Sequence, residues 1–323
     1  MSSHQYNTKS LKTKTWFVIV NPVAAGGRVR NRWRKIKKEL LIQEIEFDFC
    51  FSNYERHTIL LTKNALQNGY RKILGVGGDG TLNEIVNGIF GHETIPDPSE
   101  VTVGVIPAGT GNDWIRSHNI SKQYKEAIKN LRTNRTLLQD IGKISLTTEK
   151  GAFTHYYLNI AGIGFNASVV KNTRLISGKT FHGKYYYLLA MIISLIRYRP
   201  VDLVIDTGVS DEWRLSVFAM SIAICKFNGG GMMMAPHARY DDGLLSLTVV
   251  GKINKLSVIR NFFKLFDGSF INNKEVKIVN TQKLSVVAPE SFGVEMDGEL
   301  LGETKLITFE NLSGKLRVIS GNS

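Results

Sequence analysis

The stretch Lys72-Ile-Leu-Gly-Val-Gly-Gly-Asp-Gly-Thr81 decides the fold of the first half of this chain. Its apolar start predicts a buried strand over 72–76, its glycines predict a turn over 77–80, and residues 81–90 predict a helix. Strands that alternate with helices predict an α/β domain, in which a parallel sheet carries helices on both faces. The same alternation predicts further strands at 16–20, 45–51 and 101–106 and helices at 28–42 and 56–68.

The hydrophobic pattern changes after about residue 137, where strand-like runs begin to dominate. Two helical segments interrupt these runs, near 183–198 and at 255–266. This half is therefore predicted to form a mainly antiparallel β domain. Its predicted strands cover residues 138–146, 153–160, 201–206, 215–225, 244–250 and 283–287.

The composition is that of a globular protein with an anionic partner. Hydrophobic residues make up 43% and charged residues 21% of the 323 positions, which excludes a disordered or fibrous chain. The 41 Lys and Arg against 28 Asp and Glu give a net charge of +13, which favours nucleic acid, an acidic membrane face or phosphates as partners. Only Cys50 and Cys225 occur, which excludes a disulfide framework or zinc site and predicts a reducing cytoplasm.

Three segments bear on membranes and anions. Residues 1–14 are polar and predict a disordered leader instead of a secretion signal. The apolar run 185–196 is too short to span a bilayer, so a buried helix is favoured; the alternative is a membrane-contacting surface in which Arg197 and Arg199 meet lipid phosphates. Basic residues crowd the helix 28–42, which predicts a solvated face or, alternatively, a surface that attracts ATP or anionic lipid. No nucleic-acid motif is visible.

The glycine-rich loop 75–80 formally satisfies G-x-G-x-x-G, but Asp79 argues against a dinucleotide turn. A carboxylate in that turn would repel a pyrophosphate at the helix N-terminus. Glycines with one carboxylate better suit a phosphate bound alongside Mg²⁺, with Thr81 as a cap or a phosphate donor. The Walker A motif and the protein kinase signatures are absent from the sequence, so those two classes are excluded.

A second loop, Gly109-Thr-Gly-Asn-Asp113, also follows a predicted strand, and Asn21-Pro22 ends the first strand. The carboxyl ends of parallel strands meet at one edge of a sheet, where ligands bind in open α/β folds. The three polar loops are therefore expected to converge on one crevice. The alternative is three ordinary turns in which Gly and Asn supply positive φ.

Further motifs stand along the chain beside these loops. The full set is Asn21-Pro22 with Gly26-Gly27, Gly77-Gly-Asp-Gly-Thr-Leu-Asn-Glu84, Gly109-Thr-Gly-Asn-Asp113, Asn228-Gly-Gly-Gly231, Pro236-His-Ala-Arg-Tyr-Asp-Asp-Gly-Leu-Leu245 and Asp297-Gly-Glu299. Together these motifs resemble the diacylglycerol kinase catalytic-domain family, which includes bacterial lipid kinases, sphingosine kinases and ceramide kinases. The resemblance implies an N-terminal domain with a Rossmann-like sheet of the NAD kinase and diacylglycerol kinase type, and a C-terminal β-sandwich. It places the nucleotide-binding domain at 11–137 with 304–323 returning, and the lipid-substrate domain at 138–303.

The resemblance also implies site residues. Ser52 stands where the family often has a Thr, and Arg56-His57-Thr58 replaces the usual Gly-His-Ala. A structural Mg²⁺ would map onto the carboxylate of Asp242 and the backbone carbonyls of Arg239 and Leu244, an oxygen-only donor set that suits this ion; the alternative is a plain turn. The residues implied for the nucleotide are Asn21, Ser52, Gly77, Gly78, Asp79, Gly80, Thr81, Asn83 and Thr110.

The implied chemistry is γ-phosphoryl transfer from ATP, which depends on positioning and charge neutralisation. Asp79 is the candidate on the Mg²⁺ and phosphate side. Glu299 is the candidate base, with Asp297 as its partner or a second Mg²⁺-linked group. From the residues alone, Asp297-Gly-Glu299 favours a hairpin turn, in which the two carboxylates need not share a face.

The sequence therefore predicts an ATP-dependent lipid kinase with ATP and Mg²⁺ as cofactors, acting on diacylglycerol to give phosphatidic acid. It is expected in the cytoplasm, peripherally associated with a membrane that presents the lipid, with no nucleic-acid partner and with a homodimer left open. An NAD kinase-like phosphotransferase shares the Gly-Gly-Asp-Gly-Thr turn and is the first alternative. A nucleotide- or lipid-sensing module without catalysis is the second.

Overall fold

The computed structural model describes residues 12–92, 97–109, 111–148, 151–176 and 184–321. The chain divides into two compact units, Met1–Gln139 with Gly314–Ser323 and Asp140–Ser313. The predicted crossings of the chain between the two domains are at 137/138 and 303/304, whereas the structure has them at 139/140 and 313/314. The crossings are hard to locate in the sequence because each lies inside one continuous strand, Thr136–Thr148 or Glu299–Ile319, where the periodicity does not change.

The first unit alternates strands and helices as predicted. Helix 28–42 has the predicted bounds, whereas helix 81–90 begins two residues earlier, at Asp79. The strands are β1 (Trp16–Val20), β2 (Phe47–Phe51), β3 (Lys72–Gly77) and β4 (Thr102–Pro107), and the helices are α1 (Arg28–Ile42), α2 (His57–Gln67), α3 (Asp79–Phe90), α4 (Trp114–Ser117) and α5 (Tyr124–Thr133).

The second unit contains most of the remaining strands and helices. Its strands are β5 (Thr136–Thr148), β6 (Gly151–Tyr157), β7 (Ile160–Gly164), β8 (Val201–Asp206), β9 (Trp213–Val217), β10 (Ala219–Ala223), β11 (Phe227–Asn228), β12 (Met232–Met233), β13 (Leu245–Val250), β14 (Val276–Thr281), β15 (Lys283–Met296) and β16 (Glu299–Ile319). Its helices are α6 (Phe165–Ile176), α7 (Lys184–Arg197), α8 (Lys255–Arg260) and α9 (Lys264–Asp267). Strands β5 and β16 each cross from one unit to the other along the chain.

The sheet of the first unit is parallel, in the order β2-β1-β3-β4 followed by the end of β16. Arg317 and Val318 of β16 pair in parallel with Thr102 and Val103 of β4. Helix α1 packs its apolar residues Val29, Trp33, Ile36 and Leu40 on this sheet, because their spacing of three and four places them on one face. The parallel arrangement brings the carboxyl ends of β1, β3 and β4 to the same edge.

The second unit is an antiparallel β-sandwich, as predicted, with the strand order β14-β13-β10-β7-β15-β16 in its main path. Strand β15 pairs with β8 near Val286 and with β7 near Glu295, and a register shift separates these two stretches. Three predictions of single elements are wrong in this unit. The run 153–160 forms β6 and β7, the run 215–225 forms β9 and β10, and the helix 255–266 forms α8 and α9.

The predicted helix over the apolar run 185–196 is confirmed by α7. Ala190, Ser194 and Leu195 are buried, whereas Ile192 and Ile196 are exposed. Among the described residues, no helix is both long and apolar enough to cross a membrane. The predicted leader lies mostly outside the described residues, which begin at residue 12.

Candidate active site

Three loops of the first unit come together at the carboxyl edge of its sheet. Asn21, which follows β1, donates from Nδ2 to Oγ1 of Thr81 at 3.0 Å, and its Oδ1 accepts the backbone N–H of Val23 at 3.2 Å. The backbone N–H of Asn21 donates to the carbonyl of Val76 at the end of β3. These bonds fix the Asn21 loop against the loop that opens α3.

Asp79 joins the second of these loops to the third. Its Oδ2 accepts the backbone N–H of Asp113 and its Oδ1 accepts that of Trp114, both at 3.1 Å. Gly78 and Gly109 approach so closely that a Cβ on Gly109 would lie 2.5 Å from the Cα of Gly78. The carboxylate that argued against a dinucleotide turn therefore has a structural partner, the start of α4.

The loop after β4 is closed by its own Asn112. This residue has φ of 50°, and its side-chain amide bonds with both the N–H and the carbonyl of Gly109, at 3.2 and 2.9 Å. Thr110, the hydroxyl predicted to contact the nucleotide, lies outside the described residues. The described part of the loop lies against the start of α3: a Cβ on Gly109 would meet Gly78, and a Cβ on Gly111 would lie 3.1 Å from Oδ2 of Asp79.

A pocket of about 670 Å³ lies at the same edge, between the ends of β1 and β2. Asn21 and Ser52 line it, together with Phe51 and Tyr54. Ser52 is buried and its backbone N–H donates to the carbonyl of Val20 at 2.9 Å, so the end of β2 is held firmly to β1. The volume of the pocket falls within the usual range for small-molecule sites, about 300–1,000 Å³.

Glu84 also lines this pocket, although no separate role was predicted for it. Its carboxylate accepts the backbone N–H groups of Arg56 and Thr58 at 3.3 and 3.1 Å and so caps the N-terminus of α2. The Arg56-His57-Thr58 departure from the family pattern is therefore held by a residue of α3. The position of Glu84 inside the motif 77–84 was the available signal.

Gly80 and Asn83 differ in what surrounds them. A Cβ built on Gly80 meets no atom within 4 Å, and the φ of Gly80 is not positive. Asn83 is buried, and its Oδ1 accepts from Nδ2 of Asn87 at 3.0 Å. The fold therefore gives no packing reason for a glycine at 80, whereas it packs and bonds Asn83 inside α3.

In the second unit, Asp297-Gly298 forms the two-residue turn of the β15–β16 hairpin. The φ values of these residues are 47° and 83°, as a type I′ turn requires. The carboxylate of Asp297 accepts three backbone N–H groups at 3.0–3.2 Å, those of Leu158, Asn159 and Ile160. Asp297 thus anchors the turn between β6 and β7, and Glu299 stands half-buried at the start of β16.

Glu295 is a buried acid that sequence reasoning missed. It is 1% exposed, and its Oε2 accepts the backbone N–H of Gly298 at 3.1 Å. Burial raises the pKa of Glu295 to about 8, with a smaller contribution from Asp297. A Cβ on Gly162 would lie 2.4 Å from Oε1 of Glu295, so Gly162 leaves the space that this carboxyl fills. Nothing in the alternation of β15 distinguishes this glutamate from an exposed one.

The predicted metal residues lie beside a second, buried carboxylate. Oδ1 of Asp242 accepts the N–H of Leu244 at 3.0 Å, and Oδ2 of Asp140 accepts from Gly243 and Asn311. Burial raises the pKa of Asp242, and the charge of Asp140 raises it further. Oδ1 of Asn311 is buried without a described hydrogen-bond partner. This oxygen-rich set fits a hard cation, although no three His, Cys, Asp or Glu side chains of the described chain cluster around a metal position.

An apolar cavity of about 210 Å³ lies inside the second unit. Phe165 and Val169 of α6 line it, as do Phe218, Met232 and Met234. The methionines fall in the run 232–234, and their flexible thioether side chains suit an adaptable apolar wall.

Comparison with known proteins identifies both halves of the chain. The model of the diacylglycerol kinase catalytic domain matches residues 15–144, and that of the YegS C-terminal NAD kinase beta sandwich-like domain matches residues 159–320. A diacylglycerol kinase of Staphylococcus carnosus is 26% identical over 305 residues, 93% of each chain. A YegS-like lipid kinase of Pseudomonas fluorescens is 29% identical and aligns with 80% of this chain and 78% of its own.

Solved structures agree on the fold. The crystal structure of a diacylglycerol kinase from Bacillus anthracis matches with a TM-score of 0.71 at 21% identity, covering 95% of this chain and 97% of its own. Yeast NADH kinase bound to NADH matches with a TM-score of 0.53 at 10% identity, covering 95% and 84%. These likenesses confirm the predicted fold class. With one model matching half of the chain and the other spanning the loops that carry its motifs, the chain belongs to the diacylglycerol kinase and YegS-like family and is a lipid kinase.

Proposed function

We propose that this lipid kinase transfers the γ-phosphate of ATP to the hydroxyl of a diacylglycerol and so forms phosphatidic acid. One observation carries the nucleotide half of the proposal: hydrogen bonds join the Asn21 loop to Thr81 and join Asp79 to the loop after β4, and Asn21 also lines the 670 Å³ pocket. A helix N-terminus and glycine-rich backbone at that edge suit phosphates, because they offer oriented N–H donors.

In the proposed reaction, the acceptor hydroxyl oxygen bonds to the γ-phosphorus while the bond from that phosphorus to the β–γ bridging oxygen breaks. ADP leaves with the bridging oxygen, and the hydroxyl proton passes to the carboxylate of Glu299. Asp297 is proposed to position Glu299, since its own oxygens hold the turn between β6 and β7. The proposed nucleotide contacts are Asn21, Ser52, Gly77, Gly78, Asp79, Gly80, Thr81, Asn83 and Thr110.

Two groups of residues are proposed to hold Mg²⁺. Asp79 keeps a lone pair on each oxygen after accepting two N–H groups, so it can still approach a phosphate-bound ion. Asp242, with the carbonyls of Arg239 and Leu244, is proposed as the structural site, and the adjacent Asp140 supports it. Bound to the phosphates, the ion would neutralise developing charge.

The apolar cavity of the second unit supports a lipid acceptor. Its aromatic and methionine walls suit an acyl chain, whereas the polar acceptor of an NAD kinase has no use for such a wall. We propose that the enzyme works in the cytoplasm at a membrane surface, where a diacylglycerol resides.

The test is phosphate transfer from radiolabelled ATP to detergent-dispersed lipids, with products identified by mass. We expect phosphatidic acid from diacylglycerol, with less product from sphingoid bases and ceramides. Glu299→Gln should lower kcat by about 10²–10⁴-fold, the usual contribution of a general base. Glu303→Gln, an exposed glutamate on the same strand, is the matched control and should keep full activity. Formation of NADP from NAD with no lipid product would contradict the proposal.

A further inference from the structure

The segment 255–267 presents a strip of exposed apolar side chains on one side of the second unit. Leu256 is 72%, Ile259 61%, Phe263 80% and Phe266 45% exposed. Their spacing of three and four places them on a single face, because α8, α9 and the turns between them follow one another without a break. We name these four residues the apolar strip.

The opposite face of the same segment packs inward. Val258, Asn261 and Leu265 line the apolar cavity, and Nδ2 of Asn261 donates to the carbonyl of Ser257 at 2.8 Å. The segment is therefore folded against its unit, and the exposure of the strip is a property of the folded protein.

The end of α7 extends this surface. Ile192 and Ile196 are exposed one helical turn apart, and Nζ of Lys255 donates to the carbonyl of Ile196 at 2.7 Å. The hydrogen bond joins the start of α8 to the end of α7. The exposed apolar surface thus includes residues from two neighbouring helices.

Basic residues flank the strip along the chain. Asp267 is the single acid between residues 252 and 267, and it lies at the end of the segment. Two copies of such a surface would repel each other, so self-association through it is disfavoured. The basic residues are Arg197, Arg199, Lys252, Lys255, Arg260 and Lys264.

We propose that this surface docks the enzyme on an anionic phospholipid bilayer, with the apolar strip in the acyl boundary and the cations at the lipid phosphates. Interfacial helices bind membranes through this combination of an apolar face and flanking basic residues. The inference rests on the proposed function in one respect, that the acceptor is drawn from the bilayer. The adjacent cavity would then receive an acyl chain through the element that touches the membrane.

Vesicle flotation of the full-length protein tests the docking surface. The vesicles contain phosphatidylcholine with or without phosphatidylglycerol. We expect binding to the anionic vesicles. Lys252→Gln/Arg260→Gln should weaken it roughly 25-fold, at about fivefold per cation. Leu256→Ser/Phe263→Ser should weaken it at least about tenfold.

Two matched controls change the same chemistry elsewhere. Val209→Ser removes an apolar side chain of the same unit that is 60% exposed. Val209 follows Thr207, whose carbonyl accepts from Thr281 at one end of β14, whereas Val276 at the other end of β14 lines the cavity. Lys283→Gln/Lys305→Gln removes two exposed cations from β15 and β16 of the same unit. Both controls should bind as the unchanged protein does. Equal losses in a control and its matched variant, or a purified protein that dimerises through the strip without binding vesicles, would overturn the proposal.

Kinase activity on dispersed lipid and on vesicles distinguishes the proposed docking surface from the proposed reaction. The apolar variant should phosphorylate detergent-dispersed diacylglycerol normally while losing activity on vesicles. If the unchanged protein phosphorylates no dispersed lipid but still binds vesicles through the strip, the proposed function fails and the docking surface stands.

Discussion

Two glycines three residues apart in the loop 75–80 have different reasons to be glycine. A Cβ on Gly77 would collide with Oγ1 of Thr81 and lie 2.7 Å from its Cβ, whereas a Cβ on Gly80 meets nothing. Packing inside the protein therefore explains Gly77. Only a ligand that approaches the backbone would explain Gly80.

For Gly80→Ala we expect a free energy of unfolding equal to or up to about 1 kcal/mol above that of the unchanged protein, because alanine favours the first turn of α3. The same variant should bind a non-hydrolysable ATP analogue at least about tenfold more weakly, as measured by calorimetry. Gly77→Ala is the contrasting variant and should lose about 1–3 kcal/mol of stability through overpacking. Unchanged nucleotide affinity in Gly80→Ala would contradict the assignment of this loop to the phosphates.

Glu295 should give the protein a measurable dependence of stability on pH. Burial raises its pKa from an ordinary 4.5 to about 8, so between these values the folded chain holds a proton that the unfolded chain has lost. The stabilisation is complete below this window and is lost as the pH rises through it. In Glu295→Gln, which stays neutral, this fall of up to about 1.4 kcal/mol per pH unit should disappear.

Denaturant unfolding across the window, compared between the two proteins, measures this effect. Glu303→Gln, at an exposed site, should leave the pH dependence unchanged. Parallel curves for Glu295→Gln and the unchanged protein would show that Glu295 is ionised in the folded state.

At the scale of elements, single aspartates hold segments that are distant in the sequence. Asp79 of α3 caps α4, and Asp297 of the β15–β16 turn binds the N–H groups between β6 and β7. Hydrogen bonds to a charged group contribute about 1.5–3 kcal/mol each to stability. Both residues were predicted to be catalytic or metal-linked. The structure shows that each also holds two distant segments together through hydrogen bonds to backbone N–H groups.

Asp79→Asn should therefore destabilise the protein even without nucleotide, by about 1–3 kcal/mol, because an amide offers one acceptor oxygen instead of two. Urea unfolding in nucleotide-free buffer measures this loss. Glu46→Gln, an exposed acid of the same unit, should unfold within about 0.5 kcal/mol of the unchanged protein. Equal stability of Asp79→Asn and the unchanged protein would mean that the two N–H bonds contribute nothing.

The sequence predicts a helix or strand well where the local hydrophobic pattern determines its bounds. It fails where contacts with residues distant in the sequence determine them. Strand 16–20 and helix 28–42 follow from apolar spacing alone. The run 215–225 looks like one strand, yet Phe218 separates β9, which pairs with β8, from β10, which pairs with β7. The run 153–160 is interrupted where Asp297, more than 130 residues away, takes its N–H groups.

The candidate site divides in the same way. Loops at the ends of parallel strands were predictable, because the strand order of an α/β sheet brings them to one edge. Asp140 and Glu295 could not be predicted, because their importance comes from burial beside other acids and no sequence spacing indicates burial. Glu84 falls between these cases: it belongs to a recognisable motif, but the motif does not indicate that it caps α2.

At the scale of the whole molecule, the first unit depends on residues from both ends of the chain. Leu316, Val318 and Ile319 of β16 are buried, and Ile319 belongs to the core formed by β1, β3 and α1. Residues 314–321 are thus a structural part of the first unit.

Deletion of residues 314–323 should unfold the first unit. Three buried apolar side chains at about 2 kcal/mol each give a loss of roughly 6 kcal/mol, comparable with the total stability of many domains. Limited proteolysis followed by mass spectrometry should show cleavage within residues 12–139. Lys315→Gln, which removes one exposed ion pair with Asp97, should resist the protease as the unchanged protein does. Full resistance of the deleted protein would show that β16 is dispensable there.

The late arrival of β16 also has a consequence for biosynthesis. While the ribosome is still making the middle of the protein, β4 has a partner on one side only, and its other side offers unpaired N–H and carbonyl groups. That bare side stays open until about 210 further residues have been translated, from Pro107 to Arg317, which at about 5–20 residues per second takes roughly ten seconds or more. The nascent chain is therefore most exposed to mispairing in its oldest portion, and a chaperone that shields strand edges would act there.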